Sequence, residues 1–136
     1  MQHRPIKVLL VESDEDYVAE VRGAVSRSQT GALEVEAVSE LSHALARLSQ
    51  GGVDVILLGL DLADSRGMVT FDRAYAFAPD VPIIVITREP DEEAAIAAVQ
   101  GGAQDYLVKV EITPEHARAR GATRHRTAQR DRKSVV

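Results

Sequence analysis

The feature that most constrains the fold is a regular alternation between short apolar runs and longer segments with helical periodicity. Five runs are rich in β-branched residues and are too short for helices, which predicts strands. They cover residues 6–11, 33–38, 53–58, 81–86 and 106–108. The first, third and fourth runs are almost continuously apolar, as in central parallel strands covered on both faces, whereas the second alternates like an edge strand.

The segments between these runs carry helix signals. Helices are predicted over residues 14–28, from 39 or 42 to 48, over 68–78 and over 91–100, and a fifth begins at Thr113-Pro114. Ser39 or Ser42 is the expected N-cap of the second helix. Five β-α repeats with short connections predict an α/β fold with a parallel sheet and helices on both faces. In such a sheet, the functional site lies at the carboxyl ends of the strands.

Composition excludes several kinds of site. The chain has 136 residues, a net charge of −5 and no cysteine, which excludes disulfides, zinc–thiolate centres and a cysteine nucleophile. No apolar run approaches the ~20 residues of a membrane span, so we expect a single cytoplasmic domain. The charge is uneven, with −10 over residues 1–114 and +5 over residues 115–136.

Polar side chains follow the predicted strands where these end. Their positions suggest a binding site for Mg²⁺ and a phosphoryl group, because hard oxygens hold the metal and Lys or Thr contacts phosphate oxygens. The alternative is that the acids cap helices, the threonine ends a strand and the lysine is solvated. The side chains concerned are Glu12, Asp14, Asp61, Asp64, Thr87 and Lys109.

Residues 6–112 resemble the receiver domain of two-component response regulators. The matching stretches are VLLVE at 8–12, DVILL at 54–58 with Leu60, Leu62, Asp64 and Gly67 after it, PIIVIT at 82–87 and GAQDYLVK at 102–109. The resemblance implies a flavodoxin-like (βα)5 three-layer sandwich with strand order 2-1-3-4-5. It also implies phosphoryl transfer from a histidine kinase to an Asp that ends the third strand, with Mg²⁺ held by that Asp and an acidic pair.

The chain departs from the family pattern at the positions that would accept the phosphoryl group and bind Mg²⁺. The acceptor position falls on Gly59, which has no side chain, and the acidic pair falls on Glu12 and Ser13. Val110 stands where the family usually has a cis proline. Thr87, Tyr106 and Lys109 match their positions, and the first two are the implied switch residues. The degenerate acceptor pocket then comprises Glu12, Ser13, Gly59, Asp61, Thr87 and Lys109.

These departures predict a receiver fold that no longer turns over phosphate. Any Mg²⁺ site is weakened, with Glu12 and Asp61 as the remaining candidate ligands and Asp64 as a partial replacement. Lys109 then needs a new counter-charge, for which we predict Glu12 or Asp61. One alternative makes Asp61 a working phospho-acceptor. Tyr106 acts either as a switch or as a ring packed beside the fourth strand with its hydroxyl in water.

The expected organisation is a receiver core over 1–112 and a basic helix or tail over 113–136. The sequence leaves three interpretations of the tail open. It is an electrostatic handle for nucleic acid or an acidic partner, a solvated linker, or a frame-shifted remnant. Expected partners are a histidine kinase, an effector domain, or a second copy bound through the fourth helix, fifth strand and fifth helix. We expect no enzymatic activity, nucleic-acid binding or membrane binding. An alternative of a different class is a small nucleotide- or flavin-binding protein on the same fold. Against it, the sequence lacks a Gly-rich phosphate loop.

Overall fold

The computed structural model describes residues 4–28, 31–88 and 92–109, in which strands and helices alternate. The strands are β1 (Ile6–Val11), β2 (Leu33–Val38), β3 (Val55–Gly59), β4 (Ile83–Arg88) and β5 (Asp105–Lys109). The helices are α1 (Glu15–Ser28), α2 (Leu41–Leu48), α3 (Met68–Phe77) and α4 (Glu92–Gln100). The predicted fifth helix and the boundary at 112/113 lie outside the described residues.

All five strands are parallel and form one sheet in the order β2-β1-β3-β4-β5. This confirms the predicted α/β flavodoxin-like fold and the edge position of the alternating second strand. The four buried residues that end β1 are fully apolar, whereas β2 begins with exposed residues. The interior strands carry continuous apolar runs because helices cover both of their faces.

The core lies on both sides of the sheet and positions the strand ends. Val11, Leu58 and Val85 are completely buried near the carboxyl edge, where β1, β3 and β4 stop. On α4, Ala95 and Ala98 are also completely buried. Because alanine side chains are small, α4 can lie close to β4 and β5, on which it packs.

The last three strands differ from the predictions at both ends. β3 and β4 begin two residues later than predicted, and β5 begins one residue earlier. β3, β4 and β5 each extend beyond the predicted apolar run, to Gly59, Arg88 and Lys109. Backbone pairing continues there, since Gly59 is in register with Ile86 and Arg88 with Lys109. Parallel pairing needs only backbone groups, so it extends past the last apolar side chain.

The predicted N-cap of α2 is wrong. The capping position is Glu40, whose side chain makes no capping hydrogen bond, and neither Ser39 nor Ser42 takes this role. Instead, the Asp64 carboxylate accepts hydrogen bonds from the backbone N–H groups of Leu41 and Ser42 at 2.8 and 3.0 Å. The cap comes from the loop between β3 and α3, which sequence-local rules do not reach.

The described helices include none that is both long and apolar enough to cross a membrane.

Candidate functional site

The carboxyl ends of β1, β3, β4 and β5 meet at a pocket of about 260 Å³. The pocket includes four of the residues predicted from the sequence, Glu12, Asp61, Thr87 and Lys109. Its remaining lining residues are Leu60, Arg66, Gly67, Ile86, Arg88 and Ala94. Ser13 is exposed beside it, and its hydroxyl donates a hydrogen bond to the Asp61 carbonyl at 3.2 Å.

The Glu12 carboxylate lies inside the pocket and is almost inaccessible to solvent, with a side-chain exposure of 2%. Its Oε2 accepts a hydrogen bond from the Asp14 backbone N–H at 2.9 Å. Its Oε1 lies 3.0 Å from the Lys109 Nζ, although within the described residues no donor reaches Oε1 with hydrogen-bond geometry. The ion pair with Lys109 therefore supplies the compensation that a buried carboxylate requires.

Gly59 gives this carboxylate its space. A Cβ atom at position 59 would lie 2.7 Å from Glu12 Oε1 and 3.2 Å from the Val11 carbonyl oxygen. Contacts this short require the neighbouring atoms to move. The glycine at the end of β3 and the inward position of Glu12 are thus two parts of one arrangement.

Lys109 is held from three sides. Its Nζ lies 3.0 Å from Glu12 Oε1, 3.5 Å from Asp14 Oδ2 and 5.0 Å from the centroid of the Tyr17 ring. The predicted pairing of Lys109 with Glu12 is confirmed. Asp14 is one of the acids that the sequence places at this edge, but its contact with Lys109 was not predicted. Tyr17 was missed as a site residue, because it reads as the start of the apolar stripe of α1.

The neighbours of Lys109 have shifted acidities. Partial burial opposes ionisation of Asp14, but a hydrogen bond from the Tyr17 N–H and the charge of Lys109 outweigh it and lower the Asp14 pKa. Burial, followed by the charges of Glu20 and Glu12, raises the pKa of Tyr17 to about 12. Tyr17 therefore presents a neutral ring to the Lys109 ammonium, a cation–π arrangement.

The two acids after β3 have partners other than Lys109. Asp61 is largely exposed and forms an ion pair with Arg66 at 3.3 Å. The prediction that Asp64 replaces a missing carboxylate is wrong, because its carboxylate caps α2. The Asp64 pKa is lowered by the hydrogen bonds from the Ser42 and Leu41 N–H groups.

The donor set does not fit Mg²⁺. Among residues 4–28, 31–88 and 92–109, the structure brings together no group of three or more His, Asp or Glu side chains that could hold a metal. The Lys109 ammonium lies against Glu12, the buried carboxylate of the pocket, and Asp61 is paired with Arg66. A small cation that dehydrates reluctantly requires several anionic oxygens in close geometry, which this arrangement lacks.

Thr87 and Tyr106 lie next to each other on the sheet. Thr87 is buried at the end of β4, and its hydroxyl donates to the Arg88 carbonyl at 3.3 Å. Tyr106 is in register with Val85, two residues before Thr87, so its side chain and the Thr87 side chain share a face. The Tyr106 ring is buried, and its hydroxyl donates to Glu92 Oε2 at 2.6 Å. The alternative with this hydroxyl in water is wrong.

The chain matches a known protein family, and its fold is similar to that of solved structures. Residues 8–119 match the family model for the response regulator receiver domain. Among solved structures, the fold is similar to the signal receiver domain of an HD domain-containing protein from Pseudomonas fluorescens Pf-5, with a TM-score of 0.69 and 24% identity. That similarity covers 97% of this chain and 96% of the other.

Two curated relatives are transcriptional regulators that are longer than this chain. The regulatory protein BasR of Escherichia coli is 28% identical over 132 residues, which cover 96% of this chain and 58% of BasR. The C4-dicarboxylate transport regulator DctD of Rhizobium meliloti is 27% identical over 103 residues, which cover 75% of this chain and 22% of DctD.

Proposed function

Because this chain belongs to the response regulator receiver domain family of two-component signalling, we propose that it is a receiver module working without a phosphoryl group at the position where β3 ends. Its output depends on protein contacts made by the folded domain. We further propose that it has no enzymatic activity of its own. The supporting observations all lie in the pocket at the carboxyl edge of the sheet.

The single observation that carries the proposal is the position of the Glu12 carboxylate beside Gly59. Glycine offers no side-chain oxygen to accept a phosphoryl group. The space that a side chain at 59 would enter already holds Glu12 Oε1, 2.7 Å from the Cβ position. The carboxylate of Glu12, the residue after β1, thus lies where a side chain from the end of β3 would otherwise be.

The state of Lys109 supports the same conclusion. A phosphoryl group bound in the pocket would need a cation to balance its charge. The Lys109 ammonium is already paired with Glu12 at 3.0 Å and lies 3.5 Å from Asp14, with only 13% of its side chain exposed. A new anion would have to compete with two carboxylates that the fold fixes in place.

The proposed partners are other signalling proteins, namely a histidine kinase or an effector domain. The proposed contact surface is formed by α4 and β5, next to Thr87 and Tyr106. A second copy of the chain docked on this surface is an alternative arrangement. In each case the partner recognises the surface of the folded domain. A partner that binds one conformation more tightly than another shifts the population toward that conformation.

A phosphorylation assay tests the proposal. The chain is incubated with acetyl phosphate and Mg²⁺, and its intact mass is measured alongside that of the Asp61→Asn variant. We expect no phosphoryl adduct on either protein, since Gly59 has no acceptor oxygen and Asp61 is held by Arg66 at 3.3 Å. An adduct that disappears in Asp61→Asn would overturn the proposal and identify Asp61 as the acceptor.

A further inference from the structure

The Tyr106–Glu92 hydrogen bond joins two elements that are separate in sequence. Tyr106 is the second residue of β5, and Glu92 is the first residue of α4. The hydroxyl and the carboxylate Oε2 are 2.6 Å apart. Hydrogen bonds to an ionised acceptor are shorter and roughly twice as strong as those between neutral groups.

The buried residues around Tyr106 hold its ring in the position that allows this hydrogen bond. Tyr106 belongs to the buried core cluster together with Val85, Ala95 and Ala98, and only 4% of the residue is exposed. The alanines of α4 leave room for an aromatic ring under the helix. A buried tyrosine hydroxyl requires a partner, and the first turn of α4 supplies it.

Glu92 is also well placed on its own helix. A carboxylate in the first turn is stabilised by the positive end of the helix dipole, and the first turn contains Glu92 and Glu93. Glu93 shares the charge and the turn but is exposed, whereas the Tyr106 hydroxyl donates to Glu92. A comparison of substitutions at Glu92 and Glu93 therefore distinguishes the effect of the hydrogen bond from the effect of removing a negative charge.

We propose that Glu92 is the positioning residue that keeps the Tyr106 hydroxyl inside the fold and ties the first turn of α4 to β5. The inference rests on the proposed function in one respect, that the α4 and β5 surface is the one that partners contact. The bond then sets the shape of that surface without a phosphoryl group. Losing it frees the ring to leave the core and loosens the start of α4.

Site-resolved tyrosine nitration by tetranitromethane, without any phosphodonor, tests this assignment. The reactivity of Tyr106 is compared with that of Tyr75, which is 38% exposed and serves as the internal reference. In Glu92→Ala we expect Tyr106 to react about tenfold faster, the population change that follows from losing about 1.4 kcal/mol. Glu92→Gln retains an acceptor oxygen, so its Tyr106 should react more slowly than in Glu92→Ala.

The matched control is Glu93→Ala, which removes a charge from the same turn and should leave Tyr106 at the wild-type rate. Unchanged Tyr106 reactivity in Glu92→Ala overturns the proposal. An equal rise in the reactivity of Tyr75 and Tyr106 also overturns it, because this indicates general loosening.

A second variant tests the bond from the tyrosine side and does not depend on how Glu92→Ala folds. Tyr106→Phe keeps the ring and deletes the hydroxyl. Amide exchange at Ile96 and Ala97, whose N–H groups close the first turns of α4, should become several-fold faster. Exchange at the wild-type rate contradicts the assignment. Neither measurement involves phosphorylation, so its failure is distinguishable from failure of the proposed function.

Discussion

At the scale of single residues, the arrangement of the pocket depends on Gly59, which has no side chain, and on Glu12, whose carboxylate lies in the space beside it. Gly59 has no side chain, and the Glu12 carboxylate lies where a Cβ atom at 59 would meet it at 2.7 Å. Glu12 is buried and depends on Lys109 at 3.0 Å for its counter-charge. Changing either side of this arrangement should therefore affect stability as well as chemistry.

Adding a side chain at position 59 should destabilise the protein. Gly59→Ala places a methyl group against Glu12 Oε1 and the Val11 carbonyl, and overpacking of this kind costs about 1–3 kcal/mol. Gly59→Asp adds like-charge repulsion to the same contact and should cost more. Urea unfolding measures both variants, and Gly59→Ala as stable as the wild type would show that Glu12 does not need the space.

Removing the counter-charge of Glu12 should be costly. Lys109→Met leaves a buried carboxylate unpaired, which typically costs about 3–5 kcal/mol. Lys7→Met is the matched control, because Lys7 pairs with the exposed Glu34, and exposed pairs contribute about 0–1 kcal/mol. Chemical denaturation should also show that the double variant Glu12→Gln, Lys109→Met recovers part of the loss. Equal effects of Lys7→Met and Lys109→Met would contradict this ranking.

At the scale of elements, the loop between β3 and α3 fixes neighbouring helices in place. Asp64 from this loop caps α2, and the loop turns into α3 at Gly67, whose φ of 74° favours glycine. Buried hydroxyls of Ser65 and Thr70, 2.7 Å apart, join the loop to α3. The acids that the sequence placed near the phosphoryl site are thus partly used for structure.

Loss of the Asp64 cap should weaken α2. Asp64→Ala removes the acceptor for two N–H groups, and loss of a cap costs about 1 kcal/mol. Ser39→Ala, at a residue first expected to cap this helix, should change the free energy of unfolding very little. The comparison fails if Ser39→Ala proves the more destabilising of the two.

The same cap predicts a pH dependence. The Asp64 pKa lies below its ordinary value of 3.8 because the Ser42 and Leu41 N–H groups bond the ionised form. The unfolded state therefore binds the proton more readily, and the stabilisation present above that value is lost as the pH falls through the folded-state pKa. Unfolding measured at pH about 6 and about 3 should show a smaller drop for Asp64→Asn than for wild type. An identical drop would contradict the role of the cap.

At the scale of the whole molecule, the alternation of apolar runs was sufficient to predict the parallel sheet and its edge strand. The sequence also predicted the pairing of Lys109 with Glu12, since a lysine left without an acceptor carboxylate needs another anion. It did not predict that Asp64 caps α2 or that Tyr106 bonds Glu92. Those contacts join elements through tertiary packing, which the periodicity of a single segment does not encode.

The tail over 113–136, the proposed boundary at 112 and the homodimer surface stay predictions. The family-model match extends to residue 119. Within the described residues, β4, β5 and the residues that directly follow β1 and β3 contribute to the pocket.

Amide NMR of the chain titrated with Mg²⁺ and beryllofluoride, a stable mimic of a phosphorylated carboxylate, tests whether the pocket can accept a phosphoryl group. With Glu12 and Lys109 paired beside Gly59, we expect the signals of Gly59, Thr87 and Lys109 to stay at their starting positions. Saturable shifts at these three residues, with accompanying changes at Tyr106, would show a working acceptor pocket and contradict the account.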